Sequence, residues 1–187
     1  NKLAGAHVSI TSRRPQTTRF RILGVHTRPD AQIVYVDTPG LHPPAGRTLS
    51  RYMNRVATGS LEGAHAAVLV IDASGWKADD DYPLEQVRNA GCPVVLAINK
   101  IDRLHRRGEL LPLIESCARR HEFAAVVPIS ALKDENLDAL ERALLPFLPV
   151  QPALYPPDTL TDKSERFLAA EFIREQIFRS VGQEVPY

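Results

Sequence analysis

Apolar and polar positions alternate in blocks along this 187-residue chain, and the blocks have two different periods. Phe20 to Thr27 (FRILGVHT) and Gln32 to Val36 (QIVYV) are short β-type runs. The four residues between them, Arg28 to Ala31, contain the turn formers Pro29 and Asp30, which predicts a hairpin. A polar stretch with glycine and proline, Asp37 to Gly46, precedes a helix predicted over Arg47 to Leu61, where Leu49, Tyr52, Met53 and Val56 recur at helical spacing. Three wholly apolar runs follow: Ala66 to Ile71 (AAVLVI), Pro93 to Ile98 (PVVLAI) and Ala125 to Ile129 (AVVPI). Helical segments at Asp79 to Ala90, Gly108 to Glu122 and Asn136 to Leu148 alternate with them. Continuous apolar strands alternating with helices predict an α/β fold whose parallel sheet is covered on both faces.

Proline then interrupts the pattern, with four of the nine residues from Pro149 to Pro157, as expected of a stiff linker. Beyond it Ser164 to Val181 reads as an amphipathic helix. Its predicted stripe is Ala170, Ile173, Ile177 and Val181, flanked by Phe167 and Phe172. Glu175 and Arg179 are placed to pair at i,i+4 on the polar face, and Gly182 to end the helix. One helix cannot form a core, so a second domain is expected to begin here. The chain opens on Asn1 and its only methionine is Met53, so it reads as a piece of a longer protein.

Composition changes this picture little. Apolar residues make up 44% and charged residues 24%, ordinary values for a globular chain. No apolar run approaches the ~18 residues of a membrane span. Cys92 and Cys117 suit neither a disulfide framework nor a zinc site; they read as small buried apolar residues in a reducing, cytoplasmic setting. The net charge of +1 excludes a strongly polycationic nucleic-acid binder. It hides an asymmetry, because residues 1–29 hold Lys2, Arg13, Arg14, Arg19, Arg21 and Arg28 and no acid. That segment either faces phosphate or RNA backbone or is a solvated loop. The triple Asp79, Asp80 and Asp81 reads as helix N-terminal acids rather than a metal site.

Three predicted strands run into polar signatures at their carboxyl ends, where open α/β sheets bind ligands. They are Asp37-Thr38-Pro39-Gly40, Asn99-Lys100-Ile101-Asp102 and Ser130-Ala131-Leu132. D-x-x-G alone is worth nothing, since this composition gives roughly 0.6 chance matches; N-K-x-D gives roughly 0.01. Their order and placement point to guanine nucleotide. The Asp102 carboxylate can accept from guanine N1–H and its amino group, a donor pair adenine lacks. Asn99 can reach the base's other edge, the Lys100 stem can lie along the base plane with its head in water, and the Ala131 N–H can face the guanine carbonyl. At the phosphate end Asp37 has the character of a Walker-type aspartate near Mg²⁺, and Gly40 lets backbone approach the γ-phosphate.

The runs Ile10 to Ile22 (ITSRRPQTTRFRI), Tyr35 to His42 (YVDTPGLH) and Asn99 to Asp102 (NKID), followed by the proline linker, resemble the Era family of bacterial GTPases over essentially the whole chain. The resemblance implies a P-loop NTPase-type, Ras-like GTPase domain over residues 1–148, a linker over 149–160, and the start of an RNA-binding KH domain over 161–187. It implies GTP/GDP and Mg²⁺ as ligands, with Thr18 and Asp37 at the metal, and GTP contacts from Asp37 through Leu41, Asn99 through Asp102 and Ser130 through Leu132. It further implies a monomer that binds small-subunit ribosomal RNA, assists 30S assembly and touches the inner membrane peripherally from the cytoplasmic side.

The sequence departs from the family pattern at two places: it contains neither G-x-x-x-x-G-K-[ST] nor the KH signature G-x-x-G. The sheet is therefore expected to lack its first strand, leaving open edges at Gln32–Val36 and Ala66–Ile71 and the hairpin with no covalent neighbour to dock on. This chain alone is expected to bind GTP poorly. Leu41 stands where many GTPases place a water-orienting glutamine, so no catalytic base is assigned; His42 reads as a solvated loop histidine. The competing readings are a nucleotide-free scaffold or RNA-binding module that has lost its P-loop, and a sister GTPase without a KH segment.

Overall fold

A computed structural model of the chain describes residues 1–11, 17–43, 48–104 and 106–180. The hairpin forms as predicted. Strands β1 (Ile22–Thr27) and β2 (Gln32–Asp37) pair antiparallel with Thr27 opposite Gln32, and the Arg28 N–H closes the turn on the Ala31 carbonyl at 2.8 Å. Helix α1 (Thr48–Gly59) follows, then β3 (Ala67–Asp72), α2 (Asp81–Asn89), β4 (Val94–Asn99), α3 (Leu110–Ala118), β5 (Ala125–Pro128), α4 (Leu137–Leu144) and α5 (Glu165–Ser180). Pro146 lacks the N–H that would continue α4, and the segment predicted to reach Leu148 tightens into a 3₁₀ turn over Leu145–Phe147.

β3, β4 and β5 form a parallel sheet with β4 in the middle, and Val95 to Ile98 are wholly buried. The pleat sends alternate residues to opposite faces. Val94, Leu96 and Ile98 pack with Leu84 and Val87 of α2 and Cys117 of α3; Val95 and Ala97 pack with Leu140 and Leu144 of α4. Helices thus cover both faces. Cys117 is buried and Cys92 half-buried against the first cluster, both with free thiols.

No ladder joins the hairpin to this sheet among the described residues. The hairpin nevertheless docks, contrary to expectation, because polar side chains supply what the ladder does not. Glu141 of α4, buried, accepts the Tyr35 hydroxyl at 2.8 Å, approaches His26 Nδ1 at 2.8 Å and accepts Arg28 Nη1 at 3.2 Å. Burial, and then the bond to the Glu141 carboxylate, raise the Tyr35 hydroxyl far above the usual tyrosine range. On its other side the hairpin receives the proline-rich segment. The Val25 N–H donates to the Leu160 carbonyl at 2.9 Å, and the Gln32 side chain exchanges two 2.9 Å bonds with the Tyr155 backbone. Ala4, Val8 and Ile22 form a small separate core with Phe167 of α5 against it.

Helix α5 turns its polar face, not its apolar stripe, toward the rest of the described residues. Ser164 caps its start, its hydroxyl accepting the Phe167 N–H at 3.3 Å. The expected apolar stripe faces outward, with Ile173 62% and Ile177 42% exposed, while Glu171 and Glu175 are buried. The Glu175–Arg179 pair forms at 2.7 Å, on the inward face. Hydropathy assigns carboxylates to solvent, but Glu175 is held by donors from distant Thr11 and Glu171 by Arg174 one turn along the same helix. Val181 and Gly182 lie outside the described residues.

Candidate functional site

The carboxyl ends of β3, β4 and β5 carry Asp72, Asn99 and Ser130, and hydrogen bonds join their loops into one frame. Lys100 leaves β4 in the left-handed conformation (φ 69°), which turns the chain into the short 3₁₀ turn Ile101–Arg103. Asn99 Oδ1 accepts the N–H of Lys100 at 2.7 Å and of Ala131 at 3.1 Å. Asp102 Oδ1 accepts the hydroxyl of Ser130, itself wholly buried, at 2.5 Å, and Ser130 Oγ accepts the Lys133 N–H at 3.1 Å. The Ile101 N–H reaches the Ile129 carbonyl at 3.3 Å, and the Ala73 N–H reaches the Asn99 carbonyl at 2.8 Å. The N-K-I-D and S-A-L segments therefore meet, as their strand ends predicted. The Ala131 N–H bonds the Asn99 side chain here. Asn99 Nδ2 and Asp102 Oδ2 bond none of the described residues, so one donor and one acceptor remain for a ligand. Leu132 is exposed beside them.

Asp72 is a site residue that motif reading missed. Its Oδ2 pairs with Lys100 Nζ at 2.8 Å, so the lysine head is held by an ion pair while its side chain stays nearly half exposed, as expected. The Lys100 ammonium, helped by the Ser74 amide, holds the Asp72 carboxyl well below the usual carboxylate range. An aspartate closing an apolar strand was the available signal, but only the β3–β4 pairing of Asp72 with Asn99 brings it to the lysine.

The second cluster surrounds Asp37, the last residue of β2. Its Oδ2 accepts the hydroxyl of Ser9, a buried residue motif reading also missed, at 2.5 Å, and lies 3.4 Å from the Thr18 hydroxyl. Thr18 and Asp37 are thus brought together across the chain. Their oxygens are hard donors, and their spacing is close to the ~3 Å edge of an octahedron with Mg–O bonds of 2.0–2.1 Å. The pair could serve a Mg²⁺ ion, Thr18 directly and Asp37 directly or through a water, with the other ligands to come from phosphate oxygens, water and a P-loop hydroxyl that this sequence does not include. Among the described residues no three His, Cys, Asp or Glu side chains converge as a self-sufficient metal cage.

Thr38 and Leu41 are half-buried, Pro39 is buried and Gly40 is exposed. A side chain at Gly40 would come within 3.2 Å of the His42 ring. His42, expected as solvated, is half-buried, because buried Asn54 of α1 accepts its N–H at 3.2 Å and donates to its carbonyl at 2.7 Å. The acidic triple lies at the start of α2 and the short turn before it, as predicted; Asp80 accepts the Lys77 N–H and Asp81 the Trp76 indole N–H, both at 2.8 Å. In the basic segment Lys2 pairs with Asp134 at 2.7 Å and Arg28 with Asp30 at 3.1 Å, while Arg21 is exposed. Arg13 and Arg14 lie outside the described residues.

The profile of the family described as 50S ribosome-binding GTPase matches residues 1–100. GTPase Era of Stenotrophomonas maltophilia (strain K279a) is 52% identical over 187 residues, covering all of this chain and 63% of that protein. A crystal structure of Era in complex with MgGDPNP and nucleotides 1506–1542 of 16S ribosomal RNA superposes with a TM-score of 0.94 at 41% identity, over all of this chain and 63% of the other. A single-residue variant of Aquifex aeolicus Era bound to GDP·AlF4⁻ gives a TM-score of 0.92 at 40% identity, over all of this chain and 64% of that one. The chain thus spans a little under two thirds of the length of these relatives.

Proposed function

We propose, from the premise that this chain belongs to the Era GTPase family, that it carries the base-reading and metal-side parts of a GTP-hydrolysing switch coupled to ribosomal RNA. The observation that carries the reading is the frame in which Asn99 binds Ala131 and Asp102 binds Ser130 at adjacent strand ends. That frame fixes Asp102 as an acceptor before any ligand arrives, so guanine meets a prepared site and adenine leaves a carboxylate unpaired. Asp72 restrains Lys100 at the same end. In this reading residues 1–148 form the nucleotide domain, 149–160 the linker and 161–187 the start of the RNA-binding domain. The solved relative holding a 16S segment supports small-subunit ribosomal RNA as the partner, and 30S assembly is the setting proposed with it.

Thr18 and Asp37 would hold Mg²⁺, which when bound neutralises phosphate charge. Ser9 fixes the Asp37 carboxylate by its short hydrogen bond. The Leu41 side chain offers no hydrogen bond to a water, so the nucleophile would be oriented by backbone, by switch residues near Thr18 or by a second metal or cation. Phosphoryl transfer depends mainly on positioning and charge stabilisation, so such a site hydrolyses slowly but does hydrolyse.

The test uses the product of the whole open reading frame. It should hydrolyse GTP with Mg²⁺, leave ATP intact, and stop when EDTA is added. A product that binds RNA but neither GDP nor GTP would overturn the reading in favour of a nucleotide-free RNA-binding module.

A further inference from the structure

Helix α5 turns Glu171 and Glu175 inward, and Arg174 and Glu175 hold the chain on either side of the approach to Thr18. Glu175, 2% exposed, accepts both the N–H and the hydroxyl of Thr11 on Oε1, at 3.0 and 2.8 Å. Its other oxygen lies 3.4 Å from His7 Nε2, and Arg179 reaches Oε1 at 2.7 Å. Burial alone would raise the Glu175 carboxyl; the two Thr11 donors and the neighbouring His7 and Arg179 outweigh it, and the carboxyl is lowered. Arg174 precedes it. Its guanidinium is forked on Glu171, Nε to Oε1 at 2.9 Å and Nη2 to Oε2 at 2.5 Å, which fixes the plane. The remaining Nη1 donates to the Thr17 carbonyl at 2.9 Å. Thr17 is bonded to Thr18, whose hydroxyl lies 3.4 Å from Asp37.

The choice of residues is informative. Buried charge is costly, and what it supplies in return is a fixed register, because each hydrogen bond has one partner and one direction. The register fixed here belongs to Thr11 and Thr17, not to an apolar core.

We infer that Arg174, oriented by Glu171, and Glu175 are positioning residues for the metal and γ-phosphate end of the nucleotide site, holding Thr18 beside Asp37 from the helix that opens the RNA-binding domain. This rests on the guanine-nucleotide reading above and adds to it a specific mechanical link. A lysine at position 174 could reach Glu171 or the Thr17 carbonyl but could not keep the planar fork on both, so it should restore only part of the effect.

The experiment compares the full reading-frame product with Arg174→Ala, Arg174→Lys and Glu175→Gln. Three quantities are read: mant-GDP affinity in EDTA, the Mg²⁺ concentration that half-saturates mant-GDPNP binding, and amide hydrogen exchange of a peptide covering residues 17–23. Losing one charge-assisted hydrogen bond should matter by about tenfold. Arg174→Ala should therefore raise the half-saturating Mg²⁺ about tenfold and speed exchange at residues 17–23 by a similar factor, with mant-GDP affinity in EDTA within about twofold of wild type. Glu175→Gln should act in the same direction and Arg174→Lys should fall between. Unchanged Mg²⁺ dependence and exchange in Arg174→Lys and Glu175→Gln, whatever the stability of the alanine variant, would overturn the inference while leaving the guanine site standing. A wild-type protein that binds no mant-GDP at all would instead overturn the reading beneath it.

Discussion

Replacing Glu141 by alanine should loosen the hairpin from the rest of the molecule, and the size of the effect follows from its three partners. The carboxylate is buried and serves Tyr35, His26 and Arg28 from a single position on α4. Arg28 keeps Asp30, so its loss is partial. Tyr35 and His26 lose the partner that bridges hairpin and helix. Removing one member of a buried ionic set costs 3–5 kcal/mol, and the partial exposure of the His26 and Arg28 side chains points to the lower end, about 3 kcal/mol. At about 2–4 °C per kcal/mol for a chain of this size, the melting temperature should fall by about 6–12 °C. Glu141→Gln keeps an acceptor for the Tyr35 hydroxyl and should cost about 1 kcal/mol. Calorimetry on the three single variants Glu141→Ala, Glu141→Gln and Tyr35→Phe, and on the double variant Glu141→Ala/Tyr35→Phe, gives the comparison. The double variant should cost less than the sum of its parts, because the second change removes the hydroxyl that the first leaves unpaired. A melting temperature within about 1 °C of wild type for Glu141→Ala, or full additivity, would show that the hairpin is held by something else.

Other outcomes follow from contacts elsewhere. A Cβ on Gly24 would sit 2.8 Å from the Ala4 Cβ, so Gly24→Ala should destabilise by about 1–3 kcal/mol, and adding Ala4→Gly should recover most of the loss in a thermal melt. Leu41→Ala should change GTP turnover far less than the ~10²–10³ expected on removing a transition-state donor; near-complete loss with nucleotide binding intact would show that Leu41 does more than stand in for an absent glutamine. The Asp72 carboxyl is depressed in the folded state, so its contribution is present above the unfolded value of about 3.9 and is lost as pH falls below it. Denaturant titrations at stepped pH should therefore show wild type losing stability below about pH 4 more steeply than Asp72→Asn.

What the sequence disclosed and what it hid have separate physical causes. The three buried strands are uninterrupted apolar runs, and a parallel sheet covered on both faces permits little else, so β3, β4 and β5 fall within a residue or two of the predicted spans. N-K-I-D and S-A-L were legible because their chemistry needs particular side chains at fixed spacing. Glu141, Glu171 and Glu175 were not, because hydropathy assumes that a carboxylate faces water, and only the fold reveals the Tyr35, Arg174 and Thr11 donors that make burial tolerable. Asp72 and Ser9 were missed because their partners are 28 residues away along the chain and meet them only through strand pairing and the packing of residues 1–11 on the hairpin.

The central claim, that the ends of β4 and β5 form a guanine-reading frame, is tested most directly by Asp102→Asn in the full reading-frame product. The substitution replaces one acceptor of a carboxylate pair by a donor, while Ser130 retains an oxygen to bond. Affinity for GTP should fall by about 10²-fold or more, and affinity for XTP, whose purine presents an acceptor where guanine has its amino group, should rise above it. Equal changes for GTP and XTP would contradict the account and mean that Asp102 does not read the base.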